Sequence, residues 1–341
     1  MKMNDLTNRR IALLGGAGFI GHHLALKFKE CGAKVFAIDN LVVNNYYSFI
    51  KKDSDANSDL QLEILQQRLD LLRENNIPLI QIDARDYKLL TDIISRLDVE
   101  NIVHLAAVAH ANKSNKDPYS TFDYSLRTLE NALDIARSPK LKINHFIYFS
   151  SSMVYGHFKS GMVTEETICE PLGIYGALKF AAEKIVIAYN QVFKIPYTIV
   201  RPSALYGERC VSRRVGQIFI ENALKRVPVK IGGDGSDRLD FTYIDDLAEG
   251  IVKVLENENA KNQVFNLTYG ESRSIKQMAD ILTEHFPGVK IGYLPKDELM
   301  PERGTLCIEK AKKLIGYEPR YSLEKGFVKY IDWYKSFMQE R

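Results

Sequence analysis

Ile11-Ala12-Leu13-Leu14 is a short apolar run that flows into Gly15-Gly16-Ala17-Gly18-Phe19-Ile20-Gly21, and helical sequence continues from Phe19 to Glu30. Few folds accommodate a buried strand that turns into a helix through spaced glycines. In such a turn Gly15 permits the tight bend, Gly18 lets a ligand approach the backbone, and Gly21 lets helix pack on strand. The first N–H groups of the helix have no intrahelical partner and form an anion site suited to a pyrophosphate.

A second apolar run, Lys34 to Ile38, ends at Asp39, where a carboxylate can accept from both hydroxyls of an adenosine ribose. No Lys or Arg lies between Asp39 and Ile50 to meet a 2′-phosphate, so the pattern predicts NAD over NADP. Leu79–Ile82, Asn101–His104, His145–Phe149, Ile195–Val200 and Val264–Leu267 repeat the apolar pattern, with helical sequence between them. This alternation predicts an α/β fold: a doubly wound parallel Rossmann sheet with a smaller C-terminal α/β substrate lobe. We assign residues 1–202, with 240–268 returning, to the NAD-binding domain, and 203–239 with 269–341 to the lobe. Asp83 ends the third strand and is placed to reach an adenine amine, or else to cap the helix that follows. The stretch between Asp39 and Leu79 exceeds what a crossover needs. Leu62, Leu65, Leu69 and Leu72 share one helical face there, predicting a helix packed on the sheet's edge.

At 341 residues the chain fits one large domain plus a lobe. Its formal charge is only +3, with both signs mixed along the sequence, which gives no support to a nucleic-acid or membrane-surface role. The polar N-terminus is unlike a signal peptide, and no segment approaches the ~18 apolar residues of a membrane span. Cys31, Cys169, Cys210 and Cys307 lack metal-ligand spacing. We therefore expect a reduced, cytoplasmic protein without a metal site.

Ser150-Ser151-Ser152 follows the fifth predicted strand, and Tyr175 and Lys179 lie four apart, on one face of a predicted helix. A phenol with pKa ~10 is a poor base at neutral pH. A nearby ammonium and the positive nicotinamide ring would favour its ionised form. Tyr175 can then take a proton from an alcohol whose carbon gives up hydride, while a serine hydroxyl holds the oxygen.

With these fragments in view, the chain resembles an extended short-chain dehydrogenase/reductase, specifically an NAD-dependent nucleotide-sugar epimerase/dehydratase. The likeness rests on Gly15–Gly21, His104-Leu105-Ala106-Ala107, Ser150–Gly156, Tyr175–Lys179, Arg201–Gly207, Gly233–Ser236 and Arg238–Asp246. It implies a catalytic set of Ser151, Tyr175 and Lys179, with Ser151 located by its spacing from Tyr155. It implies cofactor contacts from Gly15, Gly18, Phe19, Ile20, Gly21, Asp39, Asn40, Asp83, Ala84, Leu105, Ala106, Ala107, Tyr175 and Lys179. Nucleotide-sugar contacts are expected from Ser151, Ser152, Tyr155, Arg213, Arg238 and Arg303. Arg214 shares the loop of Arg213, whereas His104 and His110 read as packed residues.

Related dehydratases place Asp-Glu directly after the catalytic hydroxyl; here Ser152-Met153 occupies those positions. The resemblance therefore implies epimerisation, at C4 of a UDP-sugar, in polysaccharide biosynthesis. A dehydratase or net oxidoreductase of the same family, or a non-catalytic NAD sensor, are the alternatives. Two positions depart from the family pattern, Ser125 and Ala204, where Asn is usual. Pairing through helices at Pro118–Ala136 and Tyr175–Phe193 would give a homodimer.

Overall fold

The computed structural model describes residues 5–43, 45–50, 58–108, 111–296 and 301–339. Seven strands form one parallel sheet: β1 (Arg10–Leu14), β2 (Lys34–Asp39), β3 (Leu79–Gln81), β4 (Asn101–His104), β5 (His145–Phe149), β6 (Tyr197–Arg201) and β7 (Gln263–Asn266). Their order is β7-β6-β5-β4-β1-β2-β3. Leu14 pairs with Ile38 on one side and with His104 on the other, so β1 and β4 are neighbours although β2 and β3 intervene in sequence. The chain winds outward in opposite directions from that pair, which opens a crevice beyond the carboxyl ends of β1 and β4.

Successive side chains point to opposite faces of a strand, so the apolar runs feed two cores. Ile11 and Leu13 enter one, with Val35, Val103, Ile147 and Val200. Ala12 and Leu14 enter the other, with Ile38, Ile102, Phe146 and Ile199. The first core is covered by α1 (Phe19–Glu30), α2 (Ser58–Glu74), α7 (Ile244–Glu256) and the C-terminal elements. The second is covered by α3 (Tyr87–Leu97), α4 (Thr128–Ala136) and α5 (Gly173–Phe193). Beyond β6, α6 (Val215–Leu224), α8 (Ile275–His285) and α9 (Leu323–Gln339) pack with a parallel pair of strands, Val229–Gly232 and Ile291–Leu294.

The insertion after β2 forms helix α2, packed against α1. Its buried face differs from the expected leucine stripe: Leu60, Ile64, Leu65, Arg68 and Leu72 are buried, while Leu62 and Leu69 are only half-buried. The face is turned so that a fully buried arginine, Arg68, stands at its centre. Residues 118–136 are helical throughout but pass through a π-turn at Asp123–Arg127, with Ser125 buried inside it. No helix among the described residues is long and apolar enough to cross a membrane, and no cluster of metal-ligand type occurs among them. All four cysteines are free thiols.

Candidate active site

The crevice at the β1–β4 junction holds a cavity lined by Gly15, Gly18, Phe19, Ile20 and Gly21 of the glycine turn. Asp39, Asn40, Asp83 and Ala84 at and after the ends of β2 and β3, and Leu105, Ala106 and Ala107 after β4, line it as well; Tyr175 and Lys179, also expected to contact the cofactor, line a neighbouring cavity instead. Gly15 has φ +88, and a Cβ there would lie 3.1 Å from the Ala106 nitrogen. A Cβ on Gly21 would meet the Gly15 oxygen at 2.2 Å. Gly18 precedes α1 without a side-chain cap, so the first-turn N–H groups remain available to an anion. These features fit a dinucleotide pyrophosphate.

Asp39 braces this turn: its carboxylate accepts from the Leu41 N–H at 2.8 Å and the Ala17 N–H at 3.1 Å. Burial raises its pKa, against the pull of those N–H groups and of Arg68. Asp83 is held differently from the expectation. One oxygen accepts from the Arg85 backbone N–H and Nε, the other from Arg85 Nη2 and Asn40 Nδ2. A carboxylate has about four acceptor positions, so these donors occupy Asp83 and compete with an adenine amine. The helix cap is Asp86, which accepts from the Leu89 N–H, not Asp83. Arg85 also stacks 4.0 Å from the ring centre of Tyr124, a cavity-lining residue absent from the sequence assignment.

A second cavity shares Ile20, Leu105, Ala107 and Arg214 with the first. Ser150, Ser151, Ser152, Tyr175, Lys179, Arg213 and Arg303 line it. Ser151 ends the extended segment after β5 and caps a 3-10 turn, its Oγ accepting from the Met153 N–H at 3.2 Å. The same hydroxyl stands beside the Tyr175 phenol, and both line this cavity. Burial raises the phenol's pKa, opposed by Ser151 and then by the charges of Arg214 and Arg303. Lys179 turns its Nζ to the Phe149 carbonyl at 2.7 Å, and burial lowers its pKa to about 8 against the attraction of Glu183.

Behind Lys179 lies a polar cluster that sequence reasoning did not find. Glu183, one helical turn on, accepts from Arg201 Nε and Nη2 at 2.9 and 2.7 Å and from the Ser150 hydroxyl. Arg201 Nη1 also donates to the Tyr155 phenol at 2.9 Å, and that phenol donates to Asn266 Oδ1 at 2.8 Å. Tyr155 is 2% exposed and lines neither cavity. Its expected place beside the sugar is therefore corrected: its ring packs with Phe158 and Arg201, and its hydroxyl is used in the core.

Arg303 reaches into the catalytic cavity, donating from Nη2 to Ser152 Oγ at 2.6 Å and Ser203 Oγ at 2.8 Å. Burial, helped by Arg214, lowers its pKa to about 10. Arg303 also lines an adjoining cavity with Arg238, whose Nε and Nη2 hold Ser272. Arg213 lines the catalytic cavity with an exposed side chain and a left-handed backbone, φ +52. Arg214 borders both the cofactor and catalytic cavities, and its buried Nε has no hydrogen-bond partner. The catalytic cavity is thus lined by Lys179, Arg213, Arg214 and Arg303 and, among the described residues, by no Asp or Glu.

Ala204, also lining this cavity, has φ +37, the backbone region that Asn tolerates better than Ala. His104 is packed beside Phe146 and Tyr148, and burial lowers its pKa to about 3, so it stays neutral. His110 lies outside the described residues.

The sequence matches the NAD dependent epimerase/dehydratase family over residues 11–268. A putative UDP-glucose 4-epimerase of Methanocaldococcus jannaschii is 30% identical over 332 residues, covering 96% of this chain and 98% of its own. A UDP-glucuronate 4-epimerase of Thermodesulfobacterium geofontis is 28% identical, covering 94% of each chain. Among solved structures, UDP-glucuronic acid 4-epimerase from Bacillus cereus, in complex with UDP-glucuronic acid and NAD, superposes with a TM-score of 0.85. It is 28% identical, with 96% of this chain and 99% of that chain covered.

Proposed function

We propose that this chain, which belongs to the NAD-dependent epimerase/dehydratase family, interconverts the C4 epimers of a UDP-sugar. The observation that carries the reading is the Ser151–Tyr175 hydroxyl pair, set where the cofactor cavity opens into a cation-lined one. Bound NAD supplies a hydride acceptor and donor that is regenerated in each cycle.

The chain's own residues supply the rest. Tyr175 takes the proton from the substrate hydroxyl and returns it on reduction. Ser151 holds the same oxygen and keeps the phenol oriented. Lys179, Arg214 and Arg303 keep the surroundings positive, which favours the phenolate when it forms. Arg303 and Arg238, which both line the adjoining cavity, suit the two phosphates of a nucleoside diphosphate. Ser152 and Met153 stand where an eliminating acid would be needed, which favours epimerisation over dehydration. The relatives named above act on UDP-glucose or UDP-glucuronate, which supports a UDP-linked hexose. The acid-free lining favours a sugar that itself carries a carboxylate.

In this reading residues 1–202 with 240–268 hold the cofactor, and 203–239 with 269–341 hold the nucleotide. Tyr119, Phe122, Val192 and Phe193, exposed on the helices expected to pair, support a homodimer. The free thiols are compatible with the cytoplasm, where nucleotide sugars for polysaccharide assembly are used.

The test is product analysis by NMR after incubation with UDP-, TDP-, CDP- and GDP-sugars. A C4 epimer formed without net NADH, and absent with Tyr175→Phe, is the expected result. A 4-keto-6-deoxy product would overturn the reaction, and an epimer from a TDP-sugar alone would overturn the nucleotide.

A further inference from the structure

Arg68 is the least ordinary residue of the insertion. It is fully buried on a helix face otherwise filled by Leu60, Ile64, Leu65 and Leu72. Burial lowers its pKa to about 10, and its Nη1 has no hydrogen-bond partner. An aliphatic residue would fill the same stripe without desolvating a guanidinium. What only the arginine supplies is a double donation, from Nε at 2.9 Å and from Nη2, to the carbonyl of Arg209.

That carbonyl belongs to a segment under backbone strain. Arg209 and Arg213 both have left-handed φ values, +59 and +52, which non-glycine residues keep only when their surroundings fix them. The side chain of Arg209 continues the chain of contacts: its Nε donates to His22 Nε2 at 3.0 Å, and His22 Nδ1 donates to the Gly18 carbonyl at 2.9 Å. His23, adjacent on α1, donates to the Glu208 carbonyl at 3.0 Å. The insertion, the cofactor helix and residues 208–209 are therefore one connected unit. A few residues on, Ser212 and Arg214 form part of the cofactor cavity's wall.

We propose that Arg68 is a positioning residue that latches segment 208–214 against the cofactor cavity and so slows escape of the bound dinucleotide between turnovers. The insertion thereby serves retention, which an enzyme that recycles one cofactor molecule needs and one that exchanges it each cycle does not. The inference rests on the family's NAD dependence and is independent of which sugar is used.

The test is exchange of bound unlabelled NAD for radiolabelled NAD, followed by rapid filtration without any sugar, so its outcome is separable from that of the epimerase reading. Arg68→Met and Arg209→Met are each expected to exchange about tenfold faster than the unaltered protein, as for loss of a charge-assisted contact. Leu65→Ala, on the same helix face, is expected to lower the melting temperature yet keep the original exchange rate. Unchanged exchange in Arg68→Met overturns the proposal, as does equal acceleration by Leu65→Ala. If Arg68→Met fails to fold, Arg209→Met decides alone, because it keeps Arg68 and its carbonyl acceptor and removes the side-chain contacts with His22 and with the Trp333 ring.

Discussion

The Ser150 hydroxyl donates to the Glu183 carboxylate at 2.5 Å, joining the end of β5 to the helix that carries Tyr175 and Lys179. Arg201 closes the arrangement from β6 with two further donations to the same carboxylate. The Arg201–Glu183 pair is almost entirely buried, with side chains 5% and 2% exposed. Removing one partner leaves the other charge without compensation, at a cost of ~3–5 kcal/mol. Glu183→Gln is therefore expected to lose about that much stability in urea unfolding, whereas Lys159→Gln, which breaks an exposed pair with Glu170, loses under ~1 kcal/mol.

Lys179 gives a pH signature with a definite sign. Its folded pKa of about 8 lies below the ordinary lysine value of 10.5, so between these values the unfolded chain binds more protons. The charged amine thus opposes folding below about pH 8, and that penalty is relieved as pH rises toward 10.5. Lys179→Met is expected to gain stability relative to the unaltered protein at pH 7 and to lose that advantage by pH 10. Paired melting curves at the two pH values measure it. Epimerase activity should fall on the alkaline side as the ammonium is lost.

Arg303 grips two serines with one nitrogen, Ser152 and Ser203, and faces both the catalytic cavity and its neighbour. A lysine has the charge but lacks the planar fork, so Arg303→Lys is expected to restore little of what Arg303→Met removes. Both should lower kcat/KM for the nucleotide sugar by ~10–100-fold, the equivalent of ~1.5–3 kcal/mol of charge-assisted contact. Steady-state kinetics with the identified substrate checks this, and near-complete rescue by lysine would argue for a point charge alone.

Ala204 is held at φ +37, where a Cβ crowds the backbone at ~1–2 kcal/mol. Glycine removes that strain but adds freedom to the unfolded chain worth ~0.5–1 kcal/mol. The net expectation for Ala204→Gly is a stabilisation of roughly 0.5 kcal/mol, readable from chemical denaturation. Ala204→Val, branched at Cβ, should destabilise at the same position.

The sheet was legible because strands buried on both faces must be apolar throughout, and β4 and β5 begin and end where their runs do. The glycine turn was legible because side chains have no room there. The insertion's helix was legible too, but its inward face was not: Arg68 reads as a solvent-facing residue by type, and only the partner carbonyl of Arg209 explains its burial. Tyr155 was misplaced for the converse reason, since a phenol satisfied by Arg201 and Asn266 in the core has the same sequence signature as one waiting for a sugar. Choosing Arg213 over Arg214 depends on a left-handed turn of the backbone, which adjacent identical residues do not reveal.

The catalytic cavity's lining also sets how a substrate arrives. Lys179, Arg213, Arg214 and Arg303 converge with no carboxylate between them among the described residues, inside low-dielectric walls that concentrate their field. A nucleoside diphosphate sugar carries opposite charge and is drawn in before any specific contact forms. Capture should therefore slow as ionic strength shortens the screening distance, while turnover by an already filled site should not. Small dianions such as sulfate should compete for entry.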